Sequence, residues 1–146
     1  MFAPGTTKVG NLKVLSPSSM IGVTYDLYEG ANVVSSDAAH AKTDLFPTSH
    51  IHIDNSSVSS MHALIDVSTT ENIYVIRDLK STSGTFMSKT RVTLSSQLPL
   101  LPFIMSNVHP NGIIKFGDVE CQCSIFYQRL HTLYSRINPE KVRVIV

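Results

Sequence analysis

Short stretches of alternating apolar and polar residues run along most of the chain. The clearest lie at residues 23–27, 63–67 and 121–127. Strict alternation gives a strand one face for a core and one face for solvent. Turn residues separate such stretches at intervals of roughly eight to twelve residues, which is typical of an all-β sandwich. We find no amphipathic helix of useful length and no internal repeat.

Further strands and two irregular segments complete the predicted layout. The additional strands are predicted at residues 11–14, 32–34, 51–53, 73–78, 91–94 and 113–116. Residues 35–49 predict a long loop, and Gly117 with Asp118 predicts a hairpin turn. Residues 95–110 contain three of the seven prolines together with several apolar residues. We therefore expect a covered insertion there rather than a ladder strand.

Composition predicts one folded domain without a strong electrostatic field. The chain has 146 residues, of which 42% are hydrophobic, and this is enough for a real core. A net charge of +1 gives no basic surface for nucleic acid. Residues 1–9 have no apolar run, so no signal peptide is expected. No stretch approaches the ~18 consecutive apolar residues of a membrane span, so no membrane partner is predicted.

Four possible ligands for a metal occur in two pairs. His50 and His52 share one face of a predicted strand, and Cys121 and Cys123 share another. The pairs do not follow a usual zinc spacing, and the cysteines lie on an apolar face where cysteine is a common core residue. The two cysteines are also too close on one strand to form a disulfide framework, which favours a reducing compartment. We predict no metal and no cofactor.

Two polar loops carry the candidate chemistry. The first presents Ser59 and His62, and the second presents Ser81, Thr82 and Ser83. A catalytic serine usually sits at a strained turn beside glycine, whereas the neighbours of Ser59 are Ser60 and Met61. We therefore predict no enzyme activity and expect His62 to fix the loop through hydrogen bonds. The hydroxyl groups could hold a phosphate, for which an arginine usually supplies much of the charge.

The order of these motifs resembles that of the forkhead-associated (FHA) family of phosphothreonine-recognition domains. The matching segments are Asn32-Val33-Val34-Ser35-Ser36, Ser59-Ser60-Met61-His62, Ser81-Thr82-Ser83-Gly84-Thr85 and Gly117-Asp118. The resemblance implies an all-β fold, an FHA-type sandwich of about eleven strands in two sheets, with a binding site at one end. It implies a domain at residues 9–130, a tail at 1–8, and an extension or the start of a linker at 131–146. His62, Gly84 and Gly117 take structural roles in this comparison.

The resemblance also shows where this chain departs from the family pattern. Ser36 occupies the position of the phosphate-gripping arginine, Ser35 that of the preceding glycine, and Ser83 that of the asparagine that holds the peptide backbone. Loss of an arginine–phosphate pair implies an affinity lower by about tenfold or more. Two functions therefore stay open. One is a scaffold that forms homodimers and has a degraded phosphothreonine pocket, and the other is a working phosphothreonine-peptide binder.

Within the family the chain most resembles the DNA-damage checkpoint mediators, their insect mutator branch included. The similar features are residues 9–12, residues 30–34 and the cysteine-bearing last strand. This resemblance implies a nuclear protein of the DNA damage response that forms homodimers and contacts other proteins of that response, some of them phosphorylated. Apolar residues at 98–105 and 142–146 predict either an interface or segments that cover a sheet edge.

Overall fold

The computed structural model describes residues 7–37 and 49–126, which form ten strands in two sheets. The strands are β1 (Lys8–Ser16), β2 (Thr24–Tyr28), β3 (Gly30–Ser35), β4 (Ser49–His52), β5 (Ala63–Ser68), β6 (Ile73–Asp78), β7 (Thr85–Ser88), β8 (Ser106–Asn107), β9 (Ile113–Phe116) and β10 (Val119–Ile125). One sheet has the order β2-β1-β10-β9-β7 and the other the order β4-β3-β5-β6-β8. The β3–β4 pair is parallel and the other pairs are antiparallel. The predicted all-β sandwich is confirmed.

The core lies between the inner faces of the two sheets. Ala63, Ile65 and Val67 alternate with half-buried neighbours along β5. The same alternation along β10 buries Cys121 and Cys123. Burial raises the pKa of both thiols to about 12, so they stay protonated and pack as apolar groups. The two predicted strands with the most regular alternation are thus central strands of the sandwich.

The strand predicted at residues 91–94 is wrong. The chain turns there and continues into a 3₁₀ helix at Leu94–Ser96. Thr93 donates its backbone N–H to Thr90 Oγ1 at 3.4 Å, and its hydroxyl donates to the Thr90 carbonyl oxygen at 3.3 Å. Local hydrogen bonds of this kind satisfy backbone groups that a strand would need for its ladder.

The prediction that residues 95–110 form a covered insertion is wrong for most of residues 98–105, although Leu100 and Val108 pack against the core. Leu98 and Leu101 are 84% and 70% exposed, and Phe103, Ile104 and Met105 are each more than half exposed. We call residues 98–105 the apolar strap. Its main chain is fixed, because Leu100 N–H donates to the Thr85 carbonyl at 2.8 Å and Phe103 N–H donates to the Asp78 carbonyl at 2.8 Å. The backbone of the strap therefore joins β7 of one sheet to β6 of the other, while these five side chains face solvent and Leu100 packs against the core.

Several expectations concern residues outside those that the structure describes. The loop predicted at residues 35–49 falls largely on residues 38–48, and the apolar stretch at 142–146 lies beyond residue 126. The proposed tail and extension lie mostly outside as well, so the domain boundaries stay predictions. Among the described residues, no helix is long and apolar enough to cross a membrane.

Candidate functional site

Three loops meet at one end of the sandwich and bring predicted site residues together. They follow β3, precede β5 and follow β6. Ser36 N–H donates to the Ser59 carbonyl at 3.1 Å, and Thr82 N–H donates to Ser59 Oγ at 2.9 Å. Ser36, Ser59 and Thr82 thus line one mouth. Because Ser59 Oγ accepts from Thr82, its own hydrogen remains available to a ligand.

His62 supports this mouth from inside the sandwich. Its side chain is fully buried, and its ring edge meets the Phe116 ring at a centroid distance of 5.8 Å. Nδ1 accepts from Ser59 N–H at 3.0 Å, so the hydrogen sits on Nε2, which donates to the Gly84 carbonyl at 2.9 Å. Both ring nitrogens are committed to backbone groups. His62 therefore cannot take the proton of the Ser59 hydroxyl, and it braces the loop.

We expect acid to destabilise the domain through His62. Burial lowers the pKa of His62, partly opposed by the Gly84 hydrogen bond and by Asp78. The unfolded chain, with an ordinary histidine pKa of about 6.5, then binds this proton more readily than the folded chain. The neutral side chain's contribution is present above pH 6.5 and is lost as the pH falls through the folded pKa. The melting temperature should drop between pH 7 and pH 5.

Two variants separate His62 from other titrating groups. His62→Gln should be less stable at pH 7 but should lose less stability on acidification. His109→Gln changes a half-buried histidine elsewhere. In this variant the free energy of unfolding should fall with decreasing pH as steeply as in the wild type. Urea unfolding at pH 5, 6 and 7 measures how the free energy of unfolding depends on pH in each protein. An unchanged slope in His62→Gln would show that other groups cause the acid sensitivity.

Two glycines lock the loops to one another. The Gly84 carbonyl accepts both from His62 Nε2 and from Gly117 N–H, the latter at 2.9 Å. Gly117 has φ +59 in the β9–β10 turn, where Asp118 N–H donates to Ser57 Oγ at 2.8 Å. His62, Gly84 and Gly117 therefore lie where these loops contact one another, and their structural roles stay predictions.

Asp78 is a further support residue that the sequence analysis missed. Its side chain is only 3% exposed. Its carboxylate accepts from Ser81 N–H at 3.0 Å, from Ser81 Oγ at 2.5 Å and from Thr85 Oγ1 at 2.7 Å. Ser81 Oγ also accepts from Gly84 N–H at 3.0 Å, so the Ser81 hydroxyl braces the loop and does not face a ligand. An aspartate three residues before a Ser/Thr-rich turn was the available signal, since aspartate favours such turns.

The described residues of the mouth present hydroxyl groups, and no arginine is among Ser36, Ser59, Thr82 and Ser83. Ser36 is half-buried, and Thr82 and Ser83 are exposed. Lys80 is exposed on the loop after β6, and His52 Nε2 donates to the Ser36 carbonyl at 3.0 Å. The hydroxyl groups of the described mouth residues can therefore donate hydrogen bonds to an anion.

Comparison with known proteins identifies the fold. The FHA domain family matches residues 40–100. The fold is that of FHA domains. A similar solved structure, from a study of phosphothreonine-dependent FHA domain interactions, has a TM-score of 0.54 and 20% identity, and the match covers 80% of this chain and 96% of that one. No curated protein matched the chain.

Two further structures show how widely this fold is shared. The FHA domain of a hypothetical protein of Arabidopsis thaliana has a TM-score of 0.59 and 19% identity, with 86% of this chain and 92% of that one covered. The FHA domain of the CT664 protein from Chlamydia trachomatis has a TM-score of 0.57 and 22% identity, with 80% and 96% covered. These relatives are diverse FHA proteins, and they do not single out the checkpoint-mediator subfamily. FHA domains are non-catalytic modules that bind phosphothreonine peptides.

The fold keeps the two candidate metal pairs apart. His50 and His52 lie on β4, and Cys121 and Cys123 point into the core from β10 of the other sheet. Within residues 7–37 and 49–126, no group of three or more His, Cys, Asp or Glu side chains could hold a metal ion.

Proposed function

We propose that this FHA domain acts as a non-catalytic protein-interaction domain that forms homodimers through the apolar strap, without a requirement for phosphate. The observation that carries the proposal is the exposure of five large apolar side chains on a fixed backbone. They are Leu98, Leu101, Phe103, Ile104 and Met105. An exposed apolar patch of this kind is typical of an interaction site.

The area and the charge of the strap suit contact with a second copy. At about 200 Å² for a large side chain, the five residues expose on the order of 600 Å². Two copies would bury roughly 1,200 Å², which is above the ~1,000 Å² that a stable interface needs. No Asp, Glu, Lys or Arg occurs between Arg91 and Lys115. Two straps can therefore face each other without bringing like charges together.

Light scattering of variant proteins tests the homodimer. Unmodified protein from a host without the relevant kinases should run at twice its 16.1 kDa mass at micromolar concentration. The double variant Leu101→Glu with Ile104→Glu should run as a monomer, because four buried carboxylates would lie at one interface. Ile21→Glu is the matched control, since Ile21 is 62% exposed but lies outside the strap, and it should stay dimeric.

Two results would contradict this proposal. A wild-type monomer that becomes a dimer only after phosphorylation of Thr6 or Thr7 would favour phosphate-dependent pairing. A double variant that remains fully dimeric would show that the dimer interface does not include the strap.

A second candidate function is recognition of phosphothreonine peptides through the loop mouth. The bracing of Ser59 and Thr82 and the available Ser59 hydroxyl favour it. Ser36 and Ser83 stand against tight binding, because an arginine–phosphate hydrogen bond contributes about 1.5–3 kcal/mol. We therefore propose that any such binding by the unmodified site is weak.

The cellular setting that we propose is a nuclear mediator of the DNA damage response whose partners include phosphorylated proteins of that response. The sequence resemblance at residues 9–12, at residues 30–34 and in the cysteine-bearing last strand supports it. Imaging of the tagged full-length protein after induced DNA breakage tests it, and exclusion from the nucleus would overturn it.

A further inference from the structure

The first five residues of the apolar strap contain the same apolar–proline pair twice. The sequence there is Leu98-Pro99-Leu100-Leu101-Pro102, in which residues 98–99 and residues 101–102 are the two pairs. We call residues 98–102 the proline segment. A proline ring fixes φ at about −65°, and the residue before a proline avoids the helical region. Four of the five positions therefore favour the extended polyproline II (PPII) backbone.

The structure lays this segment along the surface as an extended run. Residues 97–101 belong to no helix or strand, and Gln97 has φ −83 and ψ 144, which is close to PPII geometry. The hydrogen bond from Leu100 N–H to the Thr85 carbonyl, at 2.8 Å, fixes the middle of the run, and Phe103, with φ +63, ends it. Because the segment is already held, a partner that binds it orders less chain than it would in a free peptide.

The two apolar–proline pairs face solvent, whereas the residue between them faces the domain. PPII has three residues per turn, so positions 98 and 101 share one edge, positions 99 and 102 share a second, and position 100 lies on the third. All four residues of the pairs are exposed. Leu100 is half-buried and packs against the core. Two pairs, about 9 Å apart along the segment, therefore project from the same side of the molecule.

Protection of a sheet edge does not account for this arrangement. Prolines beside an edge strand hinder pairing with another chain, because a proline has no backbone N–H. That role requires the prolines alone and gives no reason for a large apolar side chain in solvent before each of them. Leu98 and Leu101 are among the most exposed large apolar residues in the part of the chain that the structure describes.

We propose that the proline segment is a ligand for a partner protein with an SH3-type domain. Such domains bind PPII segments in a groove lined by aromatic side chains, in which each of two shallow pockets takes one apolar–proline pair. The residue between the pairs points away from that groove, as Leu100 does here. No charged residue occurs between Arg91 and Lys115, so the affinity comes from the two pairs and not from a flanking charge. We therefore expect a dissociation constant on the order of 100 μM.

Binding of an SH3-type domain excludes the homodimer proposed above. Leu101 belongs to both contact surfaces, and one side chain cannot be buried against two partners at once. The partner domain would therefore bind the monomer, and formation of the homodimer would cover the proline segment. The two proposals share a surface, but neither depends on the other.

NMR titration of a panel of purified, isotope-labelled SH3 domains with the full chain tests the proposal. The chain is added both as wild type and as Ile104→Glu with Met105→Glu, which leaves residues 98–102 unchanged and weakens an interface through the strap. At least one SH3 domain should show shifts confined to its aromatic groove, and a proline-rich peptide ligand of that domain should reverse them. The double variant should bind about threefold more tightly than wild type or better, because less of it is held in the homodimer.

Matched variants assign the contact to the two pairs. Pro99→Ala with Pro102→Ala should weaken binding by about tenfold or more, because alanine lacks the ring that fills each pocket and fixes the backbone. Pro110→Ala, which changes a half-buried proline before β9, should bind like the wild type. Leu98→Ser provides a second test, since its exposed side chain is not needed for folding, and it should also weaken binding. Circular dichroism melting checks that each variant is folded.

The outcomes separate this proposal from the homodimer. If no SH3 domain binds either form of the chain at millimolar concentration, the proposal is overturned, and light scattering still decides the homodimer. Undiminished binding by the double proline variant and by Leu98→Ser would place the contact elsewhere and would also overturn it. If a dimeric wild type and the Ile104→Glu, Met105→Glu variant bind equally well, the proline segment is a ligand and the homodimer does not use the strap.

Discussion

Replacing Asp78 with alanine is expected to lower the free energy of unfolding by about 3–5 kcal/mol, a large part of the roughly 5–15 kcal/mol typical of a domain. The carboxylate is almost fully buried and accepts hydrogen bonds from three donors, two of them on Ser81 and one on Thr85. Alanine would leave all three donors without their acceptor. Thr85 is fully buried, so a water molecule cannot easily take the place of the Asp78 carboxylate as the acceptor for Thr85 Oγ1.

Urea unfolding followed by circular dichroism measures this effect. Asp78→Asn should lie between wild type and Asp78→Ala, because the amide keeps one acceptor oxygen but loses the charge. Asp118→Ala is the matched control: it removes an exposed carboxylate at the same end of the sandwich and should change stability by about 0.5 kcal/mol or less. If the free energy of unfolding of Asp78→Ala lies within about 1 kcal/mol of the wild-type value, the change is close to a typical surface effect. Ser81 and Thr85 would then have found other acceptors.

Gly117→Ala is expected to be the second most damaging of the proposed substitutions, at about 2–5 kcal/mol. Gly117 has φ +59, and an added Cβ would lie 2.5 Å from the Ser57 carbonyl oxygen and 2.6 Å from Ser57 Oγ. The left-handed backbone alone costs alanine roughly 1–2 kcal/mol. The remaining cost comes from displacing Ser57. Its backbone carbonyl would clash with the added Cβ, and its side-chain hydroxyl accepts a hydrogen bond from Asp118 N–H.

Gly22 provides a control that isolates the steric contribution. It also has a positive φ, +92, but an added Cβ would meet no atom within 4 Å. Gly22→Ala should therefore cost only about 1–2 kcal/mol for the backbone. Equal melting temperatures for the two variants would show that the Ser57 loop moves aside without cost.

Much of the fold could be predicted because a period of two is a direct property of a half-buried strand. The alternation along β5 and β10 placed Ile65 and Cys123 in the core, where the structure has them. The turn at Gly117 could also be predicted from the local sequence, since only a few residues determine a hairpin turn.

The apolar strap and the support of the mouth could not be predicted in the same way. The apolar character of Leu101 and Phe103 indicates burial on average, but backbone hydrogen bonds to Thr85 and Asp78 decide which way the strap faces. The role of Asp78 depends on Thr85, which lies in the next strand and reaches the carboxylate only when the two sheets pack. Contacts of this kind arise from tertiary structure, and no local pattern contains them.

The shared Gly84 carbonyl has a consequence for how this domain can change over evolution or in the laboratory. Its two donors, His62 Nε2 and Gly117 N–H, join three loops through positions that a ligand would not touch. The exposed tips at Ser60, Thr82 and Ser83 contribute little to that joint, so their side chains are free to vary while the loops keep their shape. A library randomised at these tips, with the glycines and His62 kept, would therefore sample new binding specificities on an intact scaffold.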